Sequence, residues 1–506
     1  MPEIEKRSIE KTVYELSSQG RSTNLMPECD VPEAKLPVDL LREDLHLPEL
    51  SELDVVRHFI RLSQRNFCVD SGFYPLGSCT MKYNPKINEA CARLAGFSQS
   101  HPLQPIDTVQ GNLALMFELQ EWLKEIGGFA AVSLQPTAGA QGELTALLMM
   151  RAYFRDRDET GRTQILIPDS AHGTNPASTT MAGFEALEIP SDEHGNLDFA
   201  ALKAACDASV AGLMITNPNT LGLFERNIES IVRCVHNCGG LVYGDGANMN
   251  ALVGAVRPGD LGIDVMHYNL HKTFGTPHGG GGPGSGPLGV SEKLASYLPG
   301  PMVCRVKNAE KSEPAEKIKP VYTFFTPEKS IGRMNSHFGS FGVFVRAYAY
   351  ILQHGAEGLK QNTLHAVLNA NYLREQLRGI YPQSYDRTCM HEFVLQGKIK
   401  GSSVRAVDIS KRLLDYGFHP PTTYFPLIVP EALMIEPTET ESKQTLDAFA
   451  DALKAIAQEA VDHPEILHTA PHTTAVGRLD EVRAARKLKL REDDMKVKNS
   501  LNKAYS

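Results

Sequence analysis

Short apolar runs alternate with amphipathic stretches through the middle third of the chain. The runs have the length and apolar character of buried strands, and the stretches between them repeat apolar residues at helical spacing. We predict strands at 164–167, 186–189, 212–216, 241–243 and 265–268, and helices at 199–207 and 228–237. Strands joined by crossover helices form a mostly parallel sheet, so this pattern predicts an α/β fold.

The same reading extends to the segments on either side. Before the sheet it predicts helices at 53–66, 110–126 and 143–153. After it comes a long helical region at 341–377, and then a compact α/β segment with strands at 392–395 and 433–436 and helices at 404–416 and 441–458.

A chain of 506 residues exceeds the size at which one hydrophobic core stops growing, so more than one domain is expected. We predict an N-terminal arm at 1–52, a large domain at 53–380, a smaller C-terminal α/β domain at 381–469 and a tail at 470–506.

Polar residues directly follow the predicted strands. His172 comes after the first strand, Asn217 after the third, Asp245 and Ala247 after the fourth, and Lys272 after the fifth. Ligands of parallel sheets bind beyond the carboxyl ends of the strands. The candidate chemistry therefore falls where such a sheet binds its ligand.

Lys272 lies between a predicted strand and a glycine-rich segment, which places its amine on a strand-end loop. Desolvation of a lysine exposes a nucleophilic amine. With His271 beside it, Lys272 suits a Schiff base with pyridoxal phosphate. The alternative is a surface lysine in a mobile loop.

Asp245 would meet a second requirement of that cofactor. The ring nitrogen of pyridoxal phosphate must stay protonated, and a carboxylate against it keeps it so. Ala247 is small enough for the ring to lie against the strand end, and His172 is placed to stack on the opposite ring face. Asp245 could instead cap a helix.

A candidate phosphate site precedes the first of these strands. The turn made by Ala138, Gly139, Ala140 and Gln141 opens directly into an apolar helix. The free N–H groups of a helix N-terminus bind a phosphate dianion. An ordinary helix cap would have a similar sequence, but with Lys272, Asp245 and His172 in the same chain the turn favours cofactor binding.

The loop at 70–85 is rich in turn residues and aromatic residues. A long loop of this kind is either functional or disordered, and its aromatic residues argue against disorder. We interpret it as a wall of the site, with Tyr83, Cys79 and Thr80 as candidate substrate contacts.

Composition narrows the class of protein. A net charge of −9 argues against nucleic-acid binding, which needs a basic surface. The nine scattered cysteines suit a reducing compartment, and their spacing predicts no metal site. No window is apolar for a membrane-spanning length, so we expect a cytoplasmic protein that does not enter a membrane.

Distinctive motifs run from about residue 10 to about residue 487. They include Gly-Ser-Cys-Thr-Met-Lys-Tyr-Asn-Pro from Gly77, Gln-Pro-Thr-Ala-Gly-Ala-Gln-Gly-Glu from Gln135, Ala-His-Gly-Thr-Asn-Pro-Ala from Ala171, Tyr-Gly-Asp-Gly-Ala-Asn-Met-Asn-Ala from Tyr243, Asn-Leu-His-Lys-Thr-Phe from Asn269, Met-His-Glu-Phe from Met390 and Glu-Pro-Thr-Glu-Thr-Glu from Glu436. In this combination the chain resembles the fold-type I pyridoxal-phosphate enzymes, and among them the glycine decarboxylase (P-protein) family of the glycine cleavage system.

The resemblance implies a reaction and two partners. In that family the P-protein is one long chain of two similar halves or two separate subunits, and this chain resembles the C-terminal half, which carries the cofactor lysine. It implies decarboxylation of glycine, transfer of the aminomethyl group to the lipoyl arm of the H-protein, and assembly with a cofactor-less subunit as α2β2. The alternatives are another fold-type I amino-acid decarboxylase, a cysteine desulfurase, or a non-catalytic scaffold subunit.

Overall fold

The structure is a computed structural model that describes residues 8–22, 27–41, 47–278, 282, 284–306 and 321–488. Parts of the predicted arm and tail, at 1–7, 23–26, 42–46 and 489–506, lie outside the described residues.

A seven-stranded sheet forms the centre of the larger part of the molecule. Its strands in chain order are β1 (Ala131–Ser133), β2 (Gln164–Pro168), β3 (Glu185–Ile189), β4 (Val210–Thr216), β5 (Leu241–Asp245), β6 (Val265–His267) and β7 (Leu288–Val290). Across the sheet their order is β1-β7-β6-β5-β4-β2-β3. Strands β2 to β6 pair in parallel, whereas β7 is antiparallel to both of its neighbours. The prediction of a large, mostly parallel sheet is confirmed.

Helices cover both faces of this sheet, as two successive residues of β5 illustrate. Val242 belongs to the hydrophobic cluster that includes the helix Ile228–Asn237. Tyr243 belongs to a second cluster that includes the helix Gly139–Arg155. Because successive side chains of a strand point to opposite faces, both faces are buried, and the strand is apolar up to its last residue, Asp245.

The α-helices of the described residues that exceed one turn are Glu52–Ser63, Lys86–Ala92, Gln110–Gly127, Gly139–Arg155, Thr174–Met181, Phe199–Ala205, Ile228–Asn237, Phe341–Gln376, Ala406–Asp415, Lys443–Asp462, Pro464–Thr469 and Glu481–Arg486. No helix among the described residues is both long enough and apolar enough to span a bilayer.

The C-terminal part forms a smaller α/β unit. A two-stranded ribbon, β8 (Met302–Val306) with β9 (Val321–Phe325), comes before it in the chain. The unit has an antiparallel sheet of order β10-β12-β11, whose strands are β10 (Phe393–Gln396), β11 (Thr422–Thr423) and β12 (Ala432–Ile435). Its buried residues form a hydrophobic cluster of their own, which includes Leu433, Leu453 and Ile409.

The helix Phe341–Gln376 connects the two parts. Phe344 lies in the core of the large sheet, and Leu373 lies in the core of the C-terminal unit. Between them Gly355 has φ of 60° and ψ of −176°, so the predicted single helical region contains one non-helical residue. Glycine adopts that backbone conformation without the steric cost that a side chain would add.

Three local predictions differ from the structure. Lys272 lies in a helical turn, Leu270–Thr273, rather than in an open loop, because the carbonyl of Asn269 accepts hydrogen bonds from the N–H groups of Lys272 and Thr273. The helix predicted from residue 143 begins one turn earlier, at Gly139. Strand β3 was predicted to be buried, but it is an edge strand that is exposed along most of its length.

Candidate active site

Lys272 projects from the carboxyl end of the sheet, directly after β6. Its side chain is half-buried, and Nζ donates a hydrogen bond to the carbonyl of Ser78 at 2.8 Å. Among the described residues no carboxylate lies within ion-pair distance of this amine. The amine is therefore held in place without being neutralised by a partner.

Asp245 is the last residue of β5 and is buried. Its Oδ1 accepts a hydrogen bond from the N–H of Ala247 at 2.9 Å and lies 3.7 Å from Nε2 of His267. Burial opposes ionisation of this carboxyl group, but His267, the Ala247 N–H and Lys272 together outweigh burial and lower its pKa. The structure thus keeps a buried carboxylate charged.

Both side chains line one cavity of about 220 Å³. The predicted site residues that line it are Gly139, Ala140, His172, Asp245, Ala247, His271 and Lys272. Side chains from four different strand ends therefore reach a single volume, as expected for a sheet of this type.

The N-terminus of the helix Gly139–Arg155 forms another side of the cavity. No side chain caps its first turn, so its N–H groups are available to a ligand. A Cβ atom at Gly139 would lie 2.6 Å from Oδ1 of Asn269 and 3.1 Å from Nε2 of His267. Glycine is required here because the helix end approaches the end of β6 so closely.

Ala138 and Gln141 contribute to this turn without lining the cavity. Ala138 is the residue that precedes the helix, and its carbonyl accepts the N–H of Gly142. The Oε1 atom of Gln141 accepts hydrogen bonds from the backbone and side chain of Thr137, at 2.7 and 3.0 Å. Through these hydrogen bonds both residues stabilise the turn without contacting the cavity.

Three histidines surround the cavity, and all are biased towards the neutral form. Burial is the main cause in each, and it lowers the pKa of His172 and of His267. For His271, burial and the nearby charge of Lys272 lower the pKa to about 4. Nδ1 of His172 lies 2.9 Å from Oγ1 of Thr174, which orients the ring at the cavity edge.

Glu143 is a cavity residue that the sequence analysis missed. Burial and the neighbouring charge of Asp245 raise its pKa to about 7. It accepts hydrogen bonds from Thr174 Oγ1 at 2.7 Å and Asn175 Nδ2 at 3.0 Å. Its position one turn into the helix at the candidate phosphate site was the available signal.

Of the predicted substrate residues, Thr80 lines a second, larger cavity of about 820 Å³ together with His271 and Lys272, whereas Cys79 and Tyr83 do not line it. Cys79 is mostly buried, with Sγ 3.8 Å from Nε2 of His278. Tyr83 is 42% exposed, and its ring lies under the ammonium group of Lys86. These three assignments stay predictions.

Asn217 does not line the cavity that contains Lys272. Its side-chain oxygen accepts the N–H of Glu225 at 3.0 Å, and it borders a separate small cavity beneath Asp245. Its role as a cofactor contact also stays a prediction.

A cluster of buried side chains from the C-terminal sheet lies behind the loop that contains Ser78 and Thr80. His391, Glu392 and Glu436 have potential ligand atoms within 4.8 Å of one another, the one such group found among the described residues. The sequence predicted no metal site. Burial raises the pKa of Glu392 to about 8 and lowers that of His391 to about 3.

Comparisons with known proteins agree with this fold. The family profile described as "Glycine dehydrogenase, C-terminal domain" matches residues 362–472. Among solved structures, the inhibitor-bound glycine decarboxylase (P-protein) of the glycine cleavage system is similar with a TM-score of 0.67 and 20% identity, over 88% of this chain and 95% of that one. Glutamate decarboxylase of Lactobacillus brevis is similar with a TM-score of 0.62 and 13% identity, over 86% and 96%. These likenesses confirm the predicted fold-type I fold.

Curated relatives are much more similar in sequence. The probable glycine dehydrogenase (decarboxylating) subunit 2 of Caldanaerobacter subterraneus subsp. tengcongensis is 57% identical over 480 residues, which are 94% of this chain and 97% of the relative. The corresponding protein of Thermotoga maritima is 53% identical over 94% of this chain and 98% of its own length. At this identity and coverage, the chain belongs to the glycine dehydrogenase (decarboxylating) subunit 2 family.

Proposed function

We propose that this chain is the cofactor-bearing subunit of a glycine dehydrogenase (decarboxylating), and that it binds pyridoxal phosphate through Lys272 to decarboxylate glycine. The observation that carries the proposal is that Lys272 and Asp245 line one cavity beside an uncapped helix N-terminus. An amine, a buried carboxylate and a phosphate-binding helix end are the three contacts that this cofactor requires.

Independent features of the cavity fit such a ligand. Oγ1 of Thr216 is buried at the cavity wall and has no hydrogen-bond partner among the described residues. A buried polar atom of this kind is normally satisfied by a ligand or an ordered water. The lack of a side chain at Gly139 leaves the helix N–H groups accessible.

Pyridoxal phosphate supplies an electron sink that accepts the electron pair left when a carboxyl group departs. When the cofactor is bound, the carboxylate of Asp245 would hold a proton on the ring nitrogen. The N-terminus of Gly139–Arg155 would bind the phosphate, and His172 would cover one face of the ring. Lys272 would provide the amine that anchors the cofactor until the amine of glycine takes that place.

The larger cavity supports an exchange with the lipoyl arm of the H-protein. It opens beside Lys272 and His271, and its wall includes the stacked rings of Tyr74 and His419, 3.8 Å apart. A volume of about 820 Å³ accommodates an arm as well as a small substrate. We propose that the aminomethyl group leaves by this route.

The family name, subunit 2, indicates a split enzyme with another subunit. We propose that the partner is the cofactor-less P-protein subunit and that the assembly is α2β2. The amphipathic helix Glu52–Ser63 supports this proposal because Leu53, Val56, Phe59 and Ile60 are exposed on it. Exposed apolar residues that cluster in this way mark interaction sites.

Two measurements test the proposal. The full-length chain, titrated with pyridoxal phosphate, is expected to gain a visible absorption band that borohydride removes and that glycine shifts. With its partner subunit and lipoylated H-protein, it is expected to exchange labelled bicarbonate into the carboxyl group of glycine.

The same measurements separate the alternatives. Sulfur release from cysteine in place of the exchange reaction would identify a cysteine desulfurase, and carbon dioxide release from a larger amino acid would identify another decarboxylase. A chain that gains no absorption band would be a scaffold subunit.

A further inference from the structure

Ser78 has a backbone conformation that side chains disfavour. Its φ is 64°, in the left-handed region. The preceding residue, Gly77, has no room for a side chain, since a Cβ atom there would lie 2.3 Å from Cγ of Met434. A non-glycine residue keeps such a conformation only where its surroundings hold it.

Two glutamates of the C-terminal sheet hold this loop. Oε2 of Glu392 accepts a hydrogen bond from the N–H of Ser78 at 2.8 Å. Oε1 of Glu436 accepts one from Oγ1 of Thr80 at 2.5 Å. Both glutamates are almost completely buried, 0% and 1% exposed, so water does not compete for these bonds.

The carbonyl of Ser78 faces the candidate active site. It accepts the hydrogen bond from Nζ of Lys272 at 2.8 Å. The N–H and the carbonyl of Ser78 belong to two successive peptide groups that are joined at one Cα atom, and the left-handed conformation sets the angle between them. While that conformation is held, the bond that fixes the N–H also restrains the direction of the carbonyl. Glu392 thereby controls where the lysine amine finds its acceptor.

Glu392 is itself held rigidly. Its Oε1 accepts a hydrogen bond from Nδ2 of Asn248 at 3.2 Å. The same amide nitrogen donates to the carbonyl of Pro218 at 2.8 Å, which prevents Asn248 from turning away. Residues that orient a functional group in this way act through a fixed hydrogen-bond geometry.

We propose that Glu392 is a positioning residue for Lys272 and that it acts through the backbone of Ser78. The carbonyl of Ser78 holds the lysine amine whenever the amine is not bonded to the cofactor. The inference rests on the proposed role of Lys272. The amine that glycine has displaced stays beside the cofactor cavity instead of turning into the larger cavity. It is then in place to recapture the cofactor when the product leaves.

Competitive acetylation of the full-length, cofactor-free chain tests this proposal. The cofactor is removed with hydroxylamine, the chain is labelled with trace acetic anhydride, and mass spectrometry compares Lys272 with the exposed Lys293. Glu392→Ala frees the Ser78 peptide, so the ammonium of Lys272 loses its acceptor. We expect its relative labelling rate to rise about tenfold, the effect of one hydrogen bond to a charged group.

Two variants serve as controls. Glu392→Gln retains an oxygen that accepts the Ser78 N–H but turns an amide nitrogen towards Nδ2 of Asn248, so it is expected to raise the labelling rate less than Glu392→Ala does. Glu431→Ala removes a bond in which a glutamate accepts the N–H of Ala406 at 2.8 Å, elsewhere in the C-terminal unit, and it is expected to leave Lys272 unchanged. An unchanged rate in Glu392→Ala, or an equal rise in either control, would overturn the proposal.

Hydrogen exchange on the unaltered chain covers the case in which Glu392→Ala does not fold. The N–H of Ser78 is expected to exchange far more slowly than a free loop amide, because Glu392 accepts its hydrogen. Exchange at the rate of a free loop would overturn the proposal. Neither measurement requires turnover of glycine, so an inactive chain with a protected Lys272 would count only against the proposed function.

Discussion

Lys82 lies within the loop at 70–85 and Lys272 contacts the same loop, but the two ammonium groups have different partners. Lys82 is 3% exposed, and its Nζ donates to Glu439 Oε1 and to Asn250 Oδ1, each at 2.9 Å. Burial opposes its charge, but Glu439 outweighs burial and raises its pKa. Lys272 has a peptide carbonyl as its partner and faces a cavity.

The difference teaches how one chain makes a structural and a reactive lysine. A carboxylate partner fixes the ammonium form permanently and makes the amine a poor nucleophile. A carbonyl partner orients the amine without placing a negative charge beside it. The acid that serves Lys272, Asp245, lies across the cavity instead of against the amine.

Removal of the reactive lysine should have the largest effect. Lys272→Ala is expected to reduce exchange of bicarbonate into glycine by about 10⁴-fold or more, because the anchoring amine is lost. Its free energy of unfolding should change by only about 1 kcal/mol, as measured by urea denaturation. A variant that kept full activity and its borohydride-sensitive band would show that the lysine has been assigned wrongly.

The structural lysine should show the reverse pattern. Lys82→Met leaves the buried charge of Glu439 without its cationic partner, so we expect a loss of about 3–5 kcal/mol in the free energy of unfolding. The fraction that remains folded should bind pyridoxal phosphate with an affinity similar to that of the unaltered chain. The comparison between the two lysines would break down if this variant were stable but unable to bind the cofactor.

Asp245→Asn should give an intermediate effect. The amide keeps the hydrogen bond to Ala247 but no longer holds a proton on the ring nitrogen, so exchange should fall by about a hundredfold, or ~2.7 kcal/mol. The absorption band of the bound cofactor should persist. Loss of the band together with activity would indicate that Asp245 supports folding of the site and not the chemistry.

The smallest effect concerns pH. Burial raises the pKa of Glu143 to about 7 in the folded chain, from an ordinary value of 4.5. Between these two pH values the folded state therefore binds more protons than the unfolded state. The stability of the cofactor-free chain should therefore fall as the pH rises from about 4.5 to 7, and level off above 7.

Glu143→Gln should lack this dependence. After allowance for partial screening by solvent, the difference between the two chains should be about 2 kcal/mol across that interval. Denaturant titrations at a series of pH values would measure it. Parallel curves for the two chains would rule out Glu143 as the group responsible.

Much of the sheet was predictable from the sequence because its parallel strands are buried on both faces. Strands β4 and β5 are continuous apolar runs, and the polar residues that follow them mark the site edge. The short antiparallel strands β1 and β7 were missed. Each has three residues and lies beside glycines, so neither length nor composition distinguishes it from a loop.

The helix Thr174–Met181 was missed for a different reason. Its eight residues include three threonines and one asparagine, which have low helix propensity. Packing against the helix Gly139–Arg155 overrides that preference. Contacts between residues that are distant in the chain could not be predicted from the sequence either. Glu392 is 314 positions from Ser78, and no local pattern connects them.

The direction of β7 determines where the chain goes after Lys272. Since β7 is antiparallel to β6, the connection between them starts and finishes at the same rim of the sheet and has no reason to cross a face. Gly284 accordingly lies against the ring of His271, and Gly286 against the carbonyl of Ala138. The reversal of a single strand thus keeps the start of this connection beside Lys272, where Thr276 and His278 line the larger cavity.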